Sequence, residues 1–345
     1  MKMGIVFSGV PFATGEVAEF VRLAERAGFH SAWFAEDYFL RDAITMMCTA
    51  AVKTKRIVLG TGIINPFTRD PVLIAETLAT IDEVSNGRAV LGIGTGVTSL
   101  VDRMGKKVEK PATAIEESCY IIRELLRGKE LNFVGSVFKA TSVRLGTNPY
   151  SDIQGKFKPK RKRIPIYLAA KRPRMLQLAG RIGDGLLLGA GCPPAYIRTI
   201  VRDNIRLGAE AANRDWRKMD VAEYILTSLG GREDERIIKS FLTFELAYSN
   251  PEYLKAANVD SSEASKIRTT LEGKGLRAAL KLVTHDALDT LSAFGKPEKL
   301  REKIQEHVES GIKHPVICPV TVRADGVRKI IKTTSGFLNE MTDNK

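Results

Sequence analysis

Two adjacent carboxylates, Glu36 and Asp37, stand where a short apolar run, Ala32-Trp33-Phe34, ends. Carboxyls placed side by side can divide labour, one orienting a ligand and the other handling a proton. The same pair also reads as a helix cap or a partner for Arg41. Next comes Arg56-Ile-Val-Leu-Gly-Thr-Gly-Ile-Ile-Asn-Pro66. Its first half is a short buried strand. Its second half, with Thr61, Gly62, Ile63 and Asn65, is a polar loop. Gly62 lets a flat ligand approach the backbone, and the Asn65 amide can donate and accept. Gly94, Thr95 and Gly96 form a second small-residue loop. Ala169-Ala170-Lys171 and Gly189-Ala190-Gly191 are two more, each leading into a helix. Exposed N–H groups and a helix dipole there suit a phosphate, with Lys171 or Arg172 beside it. Close packing of small residues is the competing account. No Ser/His/Asp set, activated cysteine or metal-ligand cluster accompanies these loops, so no metal is expected and a cofactor must carry the hard chemistry.

The elements that position these residues alternate between strand and helix. Strands are expected at residues 5–7, 32–34, 57–60, 89–91, 164–168, 186–188, 221–226 and 316–317. Helices between them show apolar residues in register: Val17, Phe20, Val21 and Ala24 in the first, Ile74, Leu78 and Ile81 in the third. Asp42 is placed to cap the second helix, and Asn86-Gly87 to end the third. Two stretches break the rhythm. Residues 129–163 read as part hairpin, part loop, and residues 231–292 as mainly helical. Eight strands with intervening helices count out a (β/α)8 TIM barrel, an α/β fold, as one domain over residues 1–345 with those two insertions. An open doubly wound sheet is the alternative, but Gly92-Ile-Gly-Thr-Gly96 is not a GxGxxG and follows the fourth strand, not the first. In a barrel the loops above are the C-terminal strand ends, where ligands bind.

Composition narrows the function classes. With 345 residues and 44% hydrophobic content the chain builds a sizeable core, and no apolar run reaches membrane-spanning length. The residues after Met1 read directly as a strand, so no signal peptide is expected. Cys48, Cys119, Cys192 and Cys318 are far apart, as free thiols in a reducing cytoplasm would be. The formal charge of +13 is uneven: residues 155–174 hold nine basic side chains and no acidic one. No nucleic-acid motif accompanies it, so no nucleic-acid partner is expected, and a small polyanionic ligand explains a local basic patch as well.

As a set, Gly60-Thr-Gly-Ile-Ile-Asn-Pro66, Ile81-Asp-Glu-Val-Ser-Asn-Gly-Arg88, Leu91-Gly-Ile-Gly-Thr-Gly96, Ile164-Pro-Ile-Tyr-Leu-Ala-Ala170 and Leu178-Ala-Gly-Arg-Ile-Gly-Asp-Gly185 resemble the bacterial luciferase-like superfamily of flavin- and deazaflavin-dependent oxidoreductases. The likeness covers nearly the whole chain and is nearest to the methylenetetrahydromethanopterin reductases, which use coenzyme F420. It implies a cis non-prolyl peptide at Gly62–Ile63, bulging against one face of the cofactor ring. It implies a cofactor phosphate at Ala169, Ala170, Gly189 and Ala190, and Asp37 and Asn65 at the pyrimidine end of the ring. It also implies a homo-oligomer, dimer or tetramer, acting on a small-molecule substrate.

Two departures from the family pattern bear on the reaction. Val6 stands where the reductases have a glutamate. Val97 and Asp37 stand where related sugar-phosphate dehydrogenases have a glutamate and a histidine. Glu36 or Asp37 then has to supply the proton, or the substrate differs. The leading expectation is hydride transfer between F420 and a carbon substrate, water being excluded by both insertions, with Lys160, Arg161 and Lys162 meeting the oligoglutamate tail of F420. An FMN-dependent monooxygenase and a non-catalytic flavin-binding protein are the alternatives.

Overall fold

The computed structural model describes residues 2–9, 11–147, 150 and 157–343. Its centre is a parallel barrel. In chain order the strands are β1 (Gly4–Phe7), β2 (Ser31–Phe34), β3 (Val58–Thr61), β4 (Ala89–Ile93), the hairpin strands β5 (Leu131–Val134) and β6 (Lys139–Val143), then β7 (Ile166–Ala169), β8 (Gly185–Leu188), β9 (Asp220–Ser228), β10 (Ala293–Phe294) and β11 (His314–Pro319). Eight of them, β1, β2, β3, β4, β7, β8, β9 and β11, pair in that order, and β11 returns to β1 through Gly4↔Val316 and Ile5↔Ile317. The sheet is therefore closed, a (β/α)8 barrel as expected, and the open-sheet alternative is excluded. The two-residue β10 adds to the rim beside β9 at Thr227 and Ser228.

Side-chain size inside the barrel follows its taper. Trp33 lies across the interior, edge-to-face with Tyr167 at 5.3 Å between ring centroids. It fits because Gly60 faces it: a Cβ there would sit 2.4 Å from the indole. The apolar strand runs are buried on both faces, as strands of a parallel barrel must be.

Helices α1 (Thr14–Arg26), α2 (Ala43–Lys53) and α3 (Pro71–Val84) follow the first three strands. Asp42 caps α2 by accepting from Thr45 N at 2.6 Å, and Asn86 and Gly87 end α3 with positive φ. A short helix not expected from the sequence, α4 (Thr98–Asp102), follows β4, and α5 (Pro111–Leu126) comes next. The hairpin β5–β6 is tied to α5: the Glu117 carboxylate accepts from the N–H groups of Ser136, Val137 and Phe138. Then come α6 (Pro173–Ile182), α7 (Pro194–Tyr196), a π-helical turn (Ile197–Val201) and α8 (Arg202–Glu210). Between β9 and β10 lie α9 (Arg232–Tyr248), α10 (Pro251–Ala256), α11 (Ser261–Lys274), α12 (Leu276–Ala279) and α13 (His285–Leu291). The chain closes with α14 (Pro297–Glu309) and α15 (Ala324–Asp343). Among the described residues no helix is long and apolar enough to cross a membrane.

Candidate active site

The C-terminal strand ends surround a cavity of about 430 Å³, within the usual range for a small-molecule site. Seven barrel strands contribute to its wall. Ser8 and Gly9 follow β1, Glu36 and Asp37 follow β2, Gly62 and Ile63 follow β3, and Gly96 and Val97 follow β4. Gly189 and Ala190 follow β8, Tyr224 and Leu226 lie on β9, and Cys318 and Pro319 end β11. Ile237, Ile238 and Phe241 of α9 close the side over β9. The β5–β6 hairpin contributes none of the lining residues, so among the described residues of the two insertions it is the helical one that covers this mouth.

The structure thus brings together Glu36, Asp37, Gly62, Ile63, Gly96, Gly189 and Ala190 from the sequence-predicted set. The Gly62–Ile63 peptide bond is cis. Gly62 also has a packing reason to be glycine: a Cβ would lie 1.9 Å from the Tyr224 hydroxyl. A Cβ built on Gly189 meets nothing within 4 Å, so its backbone faces open space.

The remaining predicted residues stand behind the wall. The Thr61 hydroxyl is buried, donating to Gly92 O at 2.9 Å and accepting from Gly92 N at 3.0 Å. Asn65, expected to touch the ring, is buried too. Its Nδ2 donates to Tyr38 Oη at 3.0 Å and Thr95 O at 2.8 Å, and its Oδ1 accepts from Phe67 N at 2.9 Å. It braces the loops and has little left for a ligand, since a buried amide seeks all its partners. Thr95 enters that brace through its carbonyl. Ala169 packs against Gly94, where a Cβ would come within 2.8 Å of the alanine's own. Ala170 N reaches Leu187 O at 3.4 Å. Lys171 is not free to meet a phosphate: its amine sits 2.6 Å from Glu245, 3.4 Å from Ala190 O and over the Tyr253 ring.

A larger correction concerns the basic run. Lys160, Arg161 and Lys162 precede β7 and so lie at the N-terminal face of the barrel, opposite the cavity. Arg161 grips Asp82 through Nε and Nη2 and also donates to Ala89 O at 2.6 Å. It cannot meet the tail of a ligand bound in the mouth. Lys156, the first residue of the run, lies outside the described residues.

Electrostatics distinguish the two carboxyls from ordinary surface acids. Burial raises the pKa of Glu36, helped by the nearby charge of Asp42. Burial likewise raises Asp37, against the opposing pull of hydrogen bonds from Gly9 N and from Ser8 Oγ at 3.0 Å. Both therefore hold a proton further up the pH scale than a solvated carboxyl. Cys318 is pushed up to about 12 by burial and is no nucleophile. Tyr224 is pushed well up by burial, with Cys318 and Asp37 adding to it, and its Oη is buried with no hydrogen-bond partner. Val6 is fully buried, and Val97 brings no titratable group to the wall it joins. Glu36 and Asp37 are the only acidic residues lining the cavity among the described residues.

Tyr224, Ser8, the β11 loop and the α9 side chains were missed in the sequence. Tyr224 had a signal: with period two along β9, Ala222, Tyr224 and Leu226 share one face. The α9 residues had none, because which face of a long excursion helix meets the mouth is set by tertiary packing.

Comparison with known proteins places this geometry. The luciferase-like monooxygenase family matches residues 1–314. A 5,10-methylenetetrahydromethanopterin reductase of Archaeoglobus fulgidus is 33% identical over 326 residues, covering 92% of each chain. A protein of the same description from Methanolobus tindarius is 31% identical over 303 residues, covering 86% of this chain and 88% of its own. The solved coenzyme F420-dependent tetrahydromethanopterin reductase of Methanopyrus kandleri superposes with a TM-score of 0.82 at 28% identity, covering 97% of this chain and 98% of that one.

Proposed function

Because this chain belongs to the luciferase-like monooxygenase family and is an enzyme, we propose that it is an oxidoreductase transferring hydride between coenzyme F420 and a carbon of a small substrate of the methylenetetrahydromethanopterin type. The observation that carries this reading is the cavity at the barrel mouth, walled by Gly62, Ile63, Gly189 and Ala190 with Glu36 and Asp37 as its acids. The residues present fit a flat cofactor with an anionic arm: the space over Gly189 is open, and the Tyr224 hydroxyl awaits a partner. When bound, F420 supplies a ring carbon that gives or takes hydride. Ile63, in the cavity wall, would back one face of the ring and leave the other to substrate. Gly189 and Ala190 offer the arm their backbone, while Ala169, Ala170 and Lys171 support that wall from behind. Asp37 lies beside the ring, and Asp37 or Glu36, both disposed to keep a proton, serves as the acid that the family places elsewhere. Ile237, Ile238 and Phe241 keep water away from the reacting carbons. The enzyme acts in the cytoplasm as a homo-oligomer, each subunit one catalytic domain with insertions at 129–163 and 231–292.

Fluorescence titration of the protein with F420 and with FMN tests the cofactor. Tighter binding of F420, followed by anaerobic oxidation of its reduced form on adding methylenetetrahydromethanopterin, is the expected result. Preference for FMN with oxygen consumption would replace the reading with a flavin monooxygenase. Binding without turnover of either kind would leave a flavin-binding protein.

A further inference from the structure

The face of the barrel away from the mouth carries a second concave site. Between the C-terminal end of α5, the segment before β7 and the α6–β8 turn lies a cavity of about 330 Å³. Arg123, Lys162, Arg163 and Arg214 line it around a single carboxylate, Asp184. Arg127 and Arg181, on the same wall, are neutralised by Glu124 and Glu116.

Part of this cluster is structural. Arg123 donates to Ile182 O at 2.7 Å, and Arg214 to Gly180 O and Gly183 O at 2.9 and 2.5 Å. These are carbonyls at the C-terminal end of α6, where cations complement the helix dipole. That role uses few of the available donors. A guanidinium has five N–H groups; Arg123 and Arg163 each engage only Nη2. Lys162 is exposed and has no hydrogen-bond or ion-pair partner among the described residues. The carbonyls carry no formal charge, so four cations share one anion. Burial lowers the pKa of Arg214; Asp184 opposes this, and Arg123 and Arg163 add to it.

We propose that this cavity is a binding site for a small anion carrying more than one phosphate group. Arginine forks match phosphate oxygens bidentately, and these arginines line a hollow too small for a nucleic-acid duplex but adequate for a di- or triphosphate. The site is separate from the mouth and independent of which cofactor the mouth takes. It also gives the basic run before β7 a destination: Lys162 and Arg163 serve this hollow while Arg161 turns away to Asp82.

Calorimetric titration of the intact protein with inorganic triphosphate at low salt tests it. Saturable binding is expected with a Kd below about 1 mM, together with a rise in melting temperature as ligand is added. Lys162→Glu with Arg163→Gln should weaken it about tenfold or more, the scale of a lost charge-assisted contact. F420 affinity should not change, and the melting temperature of the ligand-free protein should fall only slightly, for the lost pair between the largely exposed Arg163 and Asp184. Lys162→Glu alone, which disturbs no internal partner, should still weaken binding several-fold. No saturable heat, or equal affinity in wild type and both variants, would overturn the proposal. Tighter binding of triglutamate or of duplex DNA than of triphosphate would overturn it as well.

Discussion

The two ends of this barrel are built from the same strands and handle polar groups in opposite ways. At the N-terminal end, buried charge is matched. Asp82 is held by Arg161 and Ala89 N, and Asp220 by Lys2 and the Tyr167 hydroxyl; His314 Nδ1 lies 3.4 Å from Asp220 without a hydrogen bond. Arg88 spreads its guanidinium over Ser85, Thr54, Ile57 and Ala51. At the C-terminal end two carboxyls are disposed to stay protonated, and a phenol has no partner. An unsatisfied buried donor costs stability and persists where something other than folding uses it. The contrast assigns stability to one end and chemistry to the other, the division the fold makes in general.

Removing a matched charge should be the most damaging single change. Arg161→Ala leaves Asp82, only 1% exposed, without its guanidinium. Breaking such a pair from one side costs about 3 kcal/mol or more. Urea unfolding should show that loss while F420 affinity stays at the wild-type value. Weakened F420 binding with unchanged stability would erase the distinction between the two ends.

At the mouth the corresponding test is steric. Gly62→Ala puts a Cβ against the Tyr224 hydroxyl and should cost about 1–3 kcal/mol of stability by overpacking, with loss of cofactor binding. Adding Tyr224→Phe removes the atom at 1.9 Å and leaves the ring carbon Cζ at 3.1 Å, so part of the stability should return. The two changes must therefore be non-additive; simple additivity would mean that Gly62 and Tyr224 do not meet.

The barrel was legible because its strands are short, apolar runs punctuated by glycine, and because Asp42 and Asn86-Gly87 mark helix ends by local chemistry. The residues of the mouth were legible to the extent that they sit at strand ends. Spacing could not say which end-of-strand residues face inward and which brace the wall from outside. Asn65 looked like a ligand group because an amide after a glycine loop can do either task; three internal hydrogen bonds decide it. Arg161 was misplaced because a run of like charges in a loop carries no sign of the buried aspartate, 79 residues earlier, that captures it.

The acids of the mouth provide a pH-dependent test. Glu36 has a raised pKa in the folded state, so it binds more protons folded than unfolded. Stability then falls as pH rises from the ordinary carboxylate range through the raised value. Glu36→Gln removes that dependence. The variant should melt higher than wild type near pH 7, and the gain should shrink as pH falls and vanish below the ordinary carboxylate range, where Glu36 is protonated in both states. A gain of the same size at both pH values would show that charge is not its source.

The finest comparison uses two tyrosines inside the same barrel. Tyr167, toward the N-terminal end, donates to Asp220 at 2.8 Å. Tyr224, toward the mouth, donates to nothing among the described residues. Deleting the first hydroxyl takes a donor from a buried carboxylate, so Tyr167→Phe should cost about 1.5 kcal/mol in urea unfolding. Deleting the second removes a buried group that makes no bond, so Tyr224→Phe should leave stability unchanged or raise it by up to about 1 kcal/mol. Both substitutions keep the ring, so neither opens a cavity, and the difference between them isolates the hydroxyl's partner. A loss of similar size in both variants would mean that the Tyr224 hydroxyl is bonded in the folded protein, and the contrast between the two tyrosines would be lost.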